Sequence, residues 1–234
     1  MFNFKKCLVA AFTIASSILF SACGQQVDQN QDAASQPEAK TEASVQAPSF
    51  NPPEAFAGKK ILVAYYSRPG DNYQVGVIEV GNTKILADMI AQEIGADEFE
   101  IKTVKEYPFN YKECTEVAKQ EQADNARPEL STKIENLADY DLIFLGYPIW
   151  WGDLPMCVYT FLESYDWNGK TIVPFCTSAG NAMTGKETSI PQFAKGSSVL
   201  ATGLGIQGAR CQADQASVRN DVKSWLSQIG FVAK

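Results

Sequence analysis

Three short stretches of this sequence carry side chains that could recognise one ligand together. Ser67-Arg68, and later Gly81-Asn82-Thr83, offer hydroxyls, an amide and a glycine at the start of a helical pattern. Such an opening suits a phosphate-like anion, because uncapped backbone N–H groups and the positive end of a helix both attract negative charge and hydroxyls add donors. Taken alone, the same residues also read as a turn and N-cap. The second stretch, Gly146 to Pro155, contains Pro148-Ile149-Trp150-Trp151-Gly152. Two adjacent tryptophans in a loop cannot readily face one core, so one is expected to pack beneath a neighbouring helix and the other to offer a flat face to a planar ring. Gly152 can adopt backbone conformations closed to other residues. The third stretch, Cys176 to Asn181, includes Thr177-Ser178-Ala179-Gly180, whose backbone and hydroxyls could bond the polar edge of a heterocycle.

Composition removes several other chemistries. The chain has no histidine, which excludes Ser-His-Asp and Cys-His catalysis and takes away the commonest metal ligand. Its six cysteines form no Cys-x-x-Cys pair, so neither a zinc ribbon nor a dithiol redox site is expected. Cys157 and Cys176 read as small buried hydrophobes; Cys114 or Cys211 could be paired in an oxidising compartment. The net charge of −7, with no cluster of Lys and Arg, argues against nucleic acid as a partner. If this is an enzyme, a cofactor brings the reactive group.

The elements that must position these loops alternate in type. Short β-rich apolar runs at 60–66, 98–103, 141–146, 171–176 and 197–204 predict five strands, although Pro174 counts against the fourth. Helical spacing predicts helices over 83–94 (closed by Gly95), 111–125, 155–164, part of 187–194 and 215–229, with a further short helix near Ser131. Alternation of this kind implies an α/β fold: a parallel sheet with helices on both faces. Ligands bind such sheets at the carboxyl ends of the strands, where strand order reverses. The three polar stretches follow strands one, three and four.

The first 58 residues have another character. Lys5 and Lys6 precede an apolar run from Leu8 to Phe20, then Ser21, Ala22 and Cys23. Residues 1–22 read as a secretory signal whose end resembles a bacterial lipobox, with Cys23 as the lipidated first residue of the mature chain. Phe20 stands where a leucine is usual, and cleavage by an ordinary signal peptidase is the alternative. Removal of 1–22 takes away two lysines and no acidic residue, moving the charge from −7 to −9. Residues 23–58, rich in Gln, Ala, Ser, Glu and Pro, predict a disordered tether, and 59–234 the folded domain. This places the protein outside the cytosol, on a membrane through its lipid alone.

From Lys60 onward the chain resembles the flavodoxin-like proteins, above all the branch with a Tyr-Pro-x-Trp-Trp-Gly loop. The resemblance rests on Ile61 to Arg68, Gly81-Asn82-Thr83, Arg127-Pro128-Glu129-Leu130, Asp139-Tyr140-Asp141, Phe144 to Gly152, and Gly169 to Thr177. It implies a three-layer fold with five parallel strands in the order 2-1-3-4-5, and FMN as the cofactor. Ser67, Arg68, Gly81, Asn82 and Thr83 would hold the phosphate. Pro148, Ile149, Trp150, Trp151 and Gly152 would lie along the isoalloxazine, and Thr177, Ser178, Ala179 and Gly180 would bond its pyrimidine edge. Two departures stand out. Pro69 to Val80 interrupts a loop that is usually continuous, as a lid or an edge decoration, and Thr177 to Asn181 lacks the aromatic that often covers the second flavin face. Electron transfer to redox partner proteins is the expected function. An FMN-dependent NAD(P)H:quinone-type oxidoreductase, with a small quinone-like acceptor, is the alternative, and a scaffold that has lost FMN is a third.

Overall fold

The computed structural model describes residues 48–180 and 182–234. The secretory signal, Cys23 and the expected tether up to residue 47 lie outside these, as does Asn181. The elements, in chain order, are β1 (Phe50–Asn51), β2 (Lys60–Tyr66), β3 (Gly70–Asn72), β4 (Gly76–Ile78), α1 (Asn82–Ile94), β5 (Asp97–Ile101), α2 (Tyr111–Ala123), β6 (Tyr140–Pro148), α3 (Met156–Glu163), β7 (Thr171–Ser178), α4 (Ile190–Phe193), β8 (Ser198–Val199), β9 (Leu204–Gln207), α5 (Gly208–Ala213), α6 (Gln215–Gln228) and β10 (Val232–Ala233).

The central sheet runs β5-β2-β6-β7-β8, with β9 also on β7, and every pairing in it is parallel. Counting β8 and β9 as one interrupted strand gives the expected order 2-1-3-4-5. The central strands β2, β6 and β7 feed both faces, as their apolar runs require. Ile61, Val63, Tyr65, Leu142, Phe144, Val173 and Phe175 pack with α1, α5 and α6, whereas Leu62, Ala64, Tyr66, Ile143, Leu145, Ile172 and Cys176 pack with α3 and α4. Gly95 closes α1 at φ 69°, its N–H donating to Ala91 O.

Pro174 does sit inside β7, and the break in the fifth strand explains how. Leu200 N–H donates to Ile172 O at 2.9 Å, so Ile172, and Pro174 two residues on, direct their backbone groups toward the fifth strand. Residues 200–203, between β8 and β9, lie opposite, where the missing proline N–H leaves no ladder bond unmade.

Other expectations shift. No helix forms near Ser131, whose N–H donates to Lys102 O while Leu130 bridges Thr103. The tether does not extend to residue 58. Ser49 N–H donates to Glu93 O, Phe50 is buried, and β1 pairs antiparallel with β10. A buried phenylalanine and a free strand edge are reason enough for that segment to order.

Candidate functional site

The loops after β2, β6 and β7 converge at one end of the sheet. The twelve-residue interruption after Arg68 closes on itself as a hairpin, β3 against β4, and its two ends meet. A Cβ placed on Gly81 would lie 2.2 Å from Ser67 Oγ and 2.7 Å from Arg68 O, so only glycine fits there. The split anion loop is therefore continuous in space. Gly81 leads into α1 with no side-chain cap and no acidic residue in the first turn, which leaves backbone N–H groups of that turn available to an anion.

The side chains around this turn are tied to the protein itself. Ser67 Oγ accepts from Lys84 N–H at 3.0 Å, and Asn82 Oδ1 accepts from Gln212 Nε2 at 2.8 Å, the same amide donating to Val80 O at 2.9 Å. Thr83 Oγ1 and Thr177 Oγ1 are hydrogen-bonded at 2.7 Å. Arg68 lies at the edge of the cleft, but its terminal nitrogens donate to the carbonyls of Pro69, Asp71, Pro108 and Phe109. It holds the hairpin to the loop before α2, and Asp71 completes the joint: its N–H donates to Phe109 O, and its carboxylate accepts from Tyr111 N–H.

At the other end of the cleft, Ile149 N–H donates to Thr177 O at 2.8 Å, locking the loop after β6 to β7. Trp150 and Asp153 exchange both backbone hydrogen bonds, with Trp151 at φ 51° and Gly152 at φ 76° between them, the signs of a type I′ turn. A tryptophan in that conformation is costly. It is held by its indole N–H donating to Thr115 O at 2.9 Å and by Lys119 Nζ, 5.3 Å from the ring centroid. Trp151 is thus laid over α2 yet remains 54 % exposed. Trp150 is the more buried of the two, edge-on to Tyr66 and Tyr107 at centroid distances of 5.5 and 4.9 Å. Behind the turn, Asp153 accepts from Tyr159 OH at 2.7 Å. The third loop folds on itself: Ser178 Oγ donates to Gly180 O and accepts from Gly180 N–H.

Between these walls lies a cleft of about 290 Å³, near the lower end of small-molecule sites, open on one side. Arg68, Asn82, Pro148, Ile149, Trp150, Trp151, Thr177, Ser178 and Ala179 line it; Ser67, Gly81, Thr83, Gly152 and Gly180 stand behind or beside that surface. Three further groups of residues line it, the first from the insertion expected as a lid or an edge decoration. Asn72, Tyr73 and Gln74 come from the hairpin tip, Gly208 and Ala209 from the start of α5, and Tyr111, Cys114, Thr115 and Ala118 from one stripe of α2. The α2 stripe has the i, i+3, i+4, i+7 spacing of a buried helix face and was indistinguishable from core. Burial raises the Cys114 thiol pKa despite the nearby Arg68 cation, so it is no thiolate nucleophile. Among the described residues, Arg68 is the only charged one lining the cleft. Cys114, Cys157, Cys176 and Cys211 are all unpaired and buried.

Known proteins bear on this geometry as follows. A family profile described as flavodoxin matches residues 60–229. A search of curated proteins finds no match. Among solved structures, a protein described as a flavoprotein from Bacteroides eggerthii DSM 20697 is 27% identical over 73% of this chain and 97% of its own, with a TM-score of 0.56. A similarly described protein from Bacteroides uniformis ATCC 8492 is 27% identical over 70% and 98%, with a TM-score of 0.52. The flavoprotein of Lactobacillus acidophilus NCFM, solved in complex with FMN, is 24% identical over 66% and 97%, with a TM-score of 0.49. The profile runs from the first residue of β2 through α6, across every strand of the parallel sheet, and the chain belongs to the flavodoxin family.

Proposed function

We propose that this chain binds FMN non-covalently and transfers electrons through it. The observation that carries the reading is the convergence on one cleft of the first turn of α1 behind Gly81, the Trp150–Trp151 turn and the end of β7. The residues present fit the cofactor. The glycine cradle at Gly81, which a Cβ would fill, brings backbone donors to where a phosphate would sit. The apolar and aromatic wall from Pro148 to Trp151 suits a flat ring, and the polar end of β7 suits a heterocycle edge. When bound, FMN supplies one- and two-electron chemistry; the protein supplies position and electrostatics.

Each part of the chain then has a task. The α1 amides and the Ser67 hydroxyl proton bind the anion. Trp150, wedged between Tyr66 and Tyr107, fixes the wall against which the ring rests. Gly152 offers a backbone carbonyl as acceptor for a ring N–H that appears on reduction. The acidic chain disfavours added negative charge, lowering the potential of the last electron.

A second reading, an FMN-dependent reductase with a small acceptor, has its own observation. Tyr73 and Tyr111 pair at 5.8 Å beside Trp151, and all three keep more than a third of their surface in water. With Arg68, the one charged lining residue among those described, already spent on backbone carbonyls, that mouth suits a neutral, flat, quinone-like molecule better than a dinucleotide with its pyrophosphate. The full chain loaded with FMN and reduced stepwise without oxygen decides between the two. Visible absorption changing in two one-electron phases, with slow oxidation of NADH and NADPH, supports the carrier. A single two-electron phase with fast nicotinamide oxidation selects the reductase, and failure to retain FMN removes both. The leader supports a further proposal, export and anchoring through lipidated Cys23.

A further inference from the structure

The resemblance puts the Thr83 hydroxyl on the phosphate and Thr177 on the ring edge. The side chains tell a different story. Thr83 is 1 % and Thr177 3 % exposed, and their hydroxyls bond each other at 2.7 Å across 94 residues of sequence. In a pair this buried one hydroxyl donates to the other, and either group left alone loses its partner without gaining water. Thr177 is also the node of the site. Its side chain reaches α1, its carbonyl accepts from Ile149 N–H at the start of the tryptophan loop, and it pairs with Ile206 of the fifth strand. Thr83 occupies the first turn of α1, between the cradle at Gly81 and the Lys84 N–H that Ser67 takes.

We infer that the Thr83–Thr177 hydroxyl pair is a brace that fixes the anion-binding turn of α1 at a set distance from the ring-binding loops, so that each threonine acts on the cofactor through the other. The inference rests on the FMN reading. FMN carries its phosphate and its ring at the two ends of one chain, so a site with a fixed spacing gains from both ends at once, and one with a loosened spacing cannot. The brace therefore governs the preference for FMN over riboflavin, which has the ring without the phosphate. Both are positioning residues, and the anion is left to the backbone amides of α1 and to Ser67.

The test is the affinity of the full chain for FMN and for riboflavin, by quenching of flavin fluorescence, in Thr83→Val, Thr177→Val and the double variant, with melting temperatures alongside. Each single valine strands a buried hydroxyl and is expected to cut the FMN-over-riboflavin preference about tenfold. The double variant, which removes both hydroxyls, is expected to lose no more than either single. Thr83→Ser and Thr177→Ser keep the hydrogen bond and should retain the preference. Loss of preference in the Thr83 variant alone would mean that its hydroxyl touches the phosphate, and overturns the brace. So does an equal loss of both ligands in Thr177→Val, which marks a ring contact, a double variant at the product of the singles, or a fall in melting temperature with the preference intact. A wild-type chain that binds neither flavin sinks the FMN reading and the brace with it; one that prefers FMN while all valine variants match it sinks the brace alone.

Discussion

Glu98 is exposed by surface area, yet its carboxyl is pushed from near 4.5 up to about 7, first by partial burial and then by the hydrogen bond and charge of Asp88, with Lys84 opposing. Lys84 is shared out here, its Nζ 2.7 Å from Asp88 Oδ1 and over the Tyr65 ring. The native state thus holds the Glu98 proton more tightly than the unfolded chain does. Stability falls as pH rises from about 4.5 to about 7 and is level above that. Glu98→Gln cannot ionise and should lose this slope, ending more stable than wild type at pH 8 by less than about 1 kcal/mol, since water screens an exposed group. Urea unfolding at pH 5 and pH 8 reads this directly. An equal difference between variant and wild type at both pH values would mean that Glu98 does not titrate in that range.

Among the elements, the β3–β4 hairpin depends most on a single residue. Arg68 ties it to the loop before α2 through four backbone carbonyls. Arg68→Ala should lower stability by about 1–3 kcal/mol, the worth of charged hydrogen bonds that are only partly buried. It should also speed amide exchange at Asp71 and Tyr111, whose N–H groups lie in that joint, while leaving Val63 and Phe144 in the core protected. Unchanged exchange at Asp71 and Tyr111 would show that the hairpin is held by something other than Arg68. The five strands were legible because runs such as Ile61 to Tyr66 and Leu142 to Leu145 are apolar on both faces. The break in the fifth strand was not, since it depends on Pro174 in the neighbouring strand rather than on residues 200–203 themselves. The cleft was legible as three loops, because glycine, hydroxyl and tryptophan residues at the ends of strands have few other uses. Its α2 wall was hidden, and the insertion could be read as a lid or an edge decoration but not as a hairpin. Cys114 and Ala118 look like core, and nothing in residues 69–80 shows that Ser67 and Gly81 will touch.

For the whole molecule, the leader bears on where it works. Lys5, Lys6, the apolar run and Cys23 lie outside the described residues, and among the described residues no helix is long and apolar enough to cross a membrane. If Cys23 carries the anchor, Cys23→Ser should move the protein from the membrane pellet to the soluble fraction and abolish labelling by a radioactive fatty acid, while FMN binding persists. Label retained in the serine variant would rule that residue out as the attachment point.

The β1–β10 clasp decides where the described chain begins and ends. Ser49 donates to Glu93 O near the end of α1, Lys234 N–H donates to Ser49 O, and Gly95 packs close to Pro48. Because α1 runs antiparallel to the strands, this corner is at their amino ends, a helix length of about 20 Å from the first turn of α1. Both ends of the described chain therefore leave from the side opposite the cleft. A surface linked to this corner of the described domain, such as an electrode in a laboratory cell, would be joined to the side away from the cleft mouth.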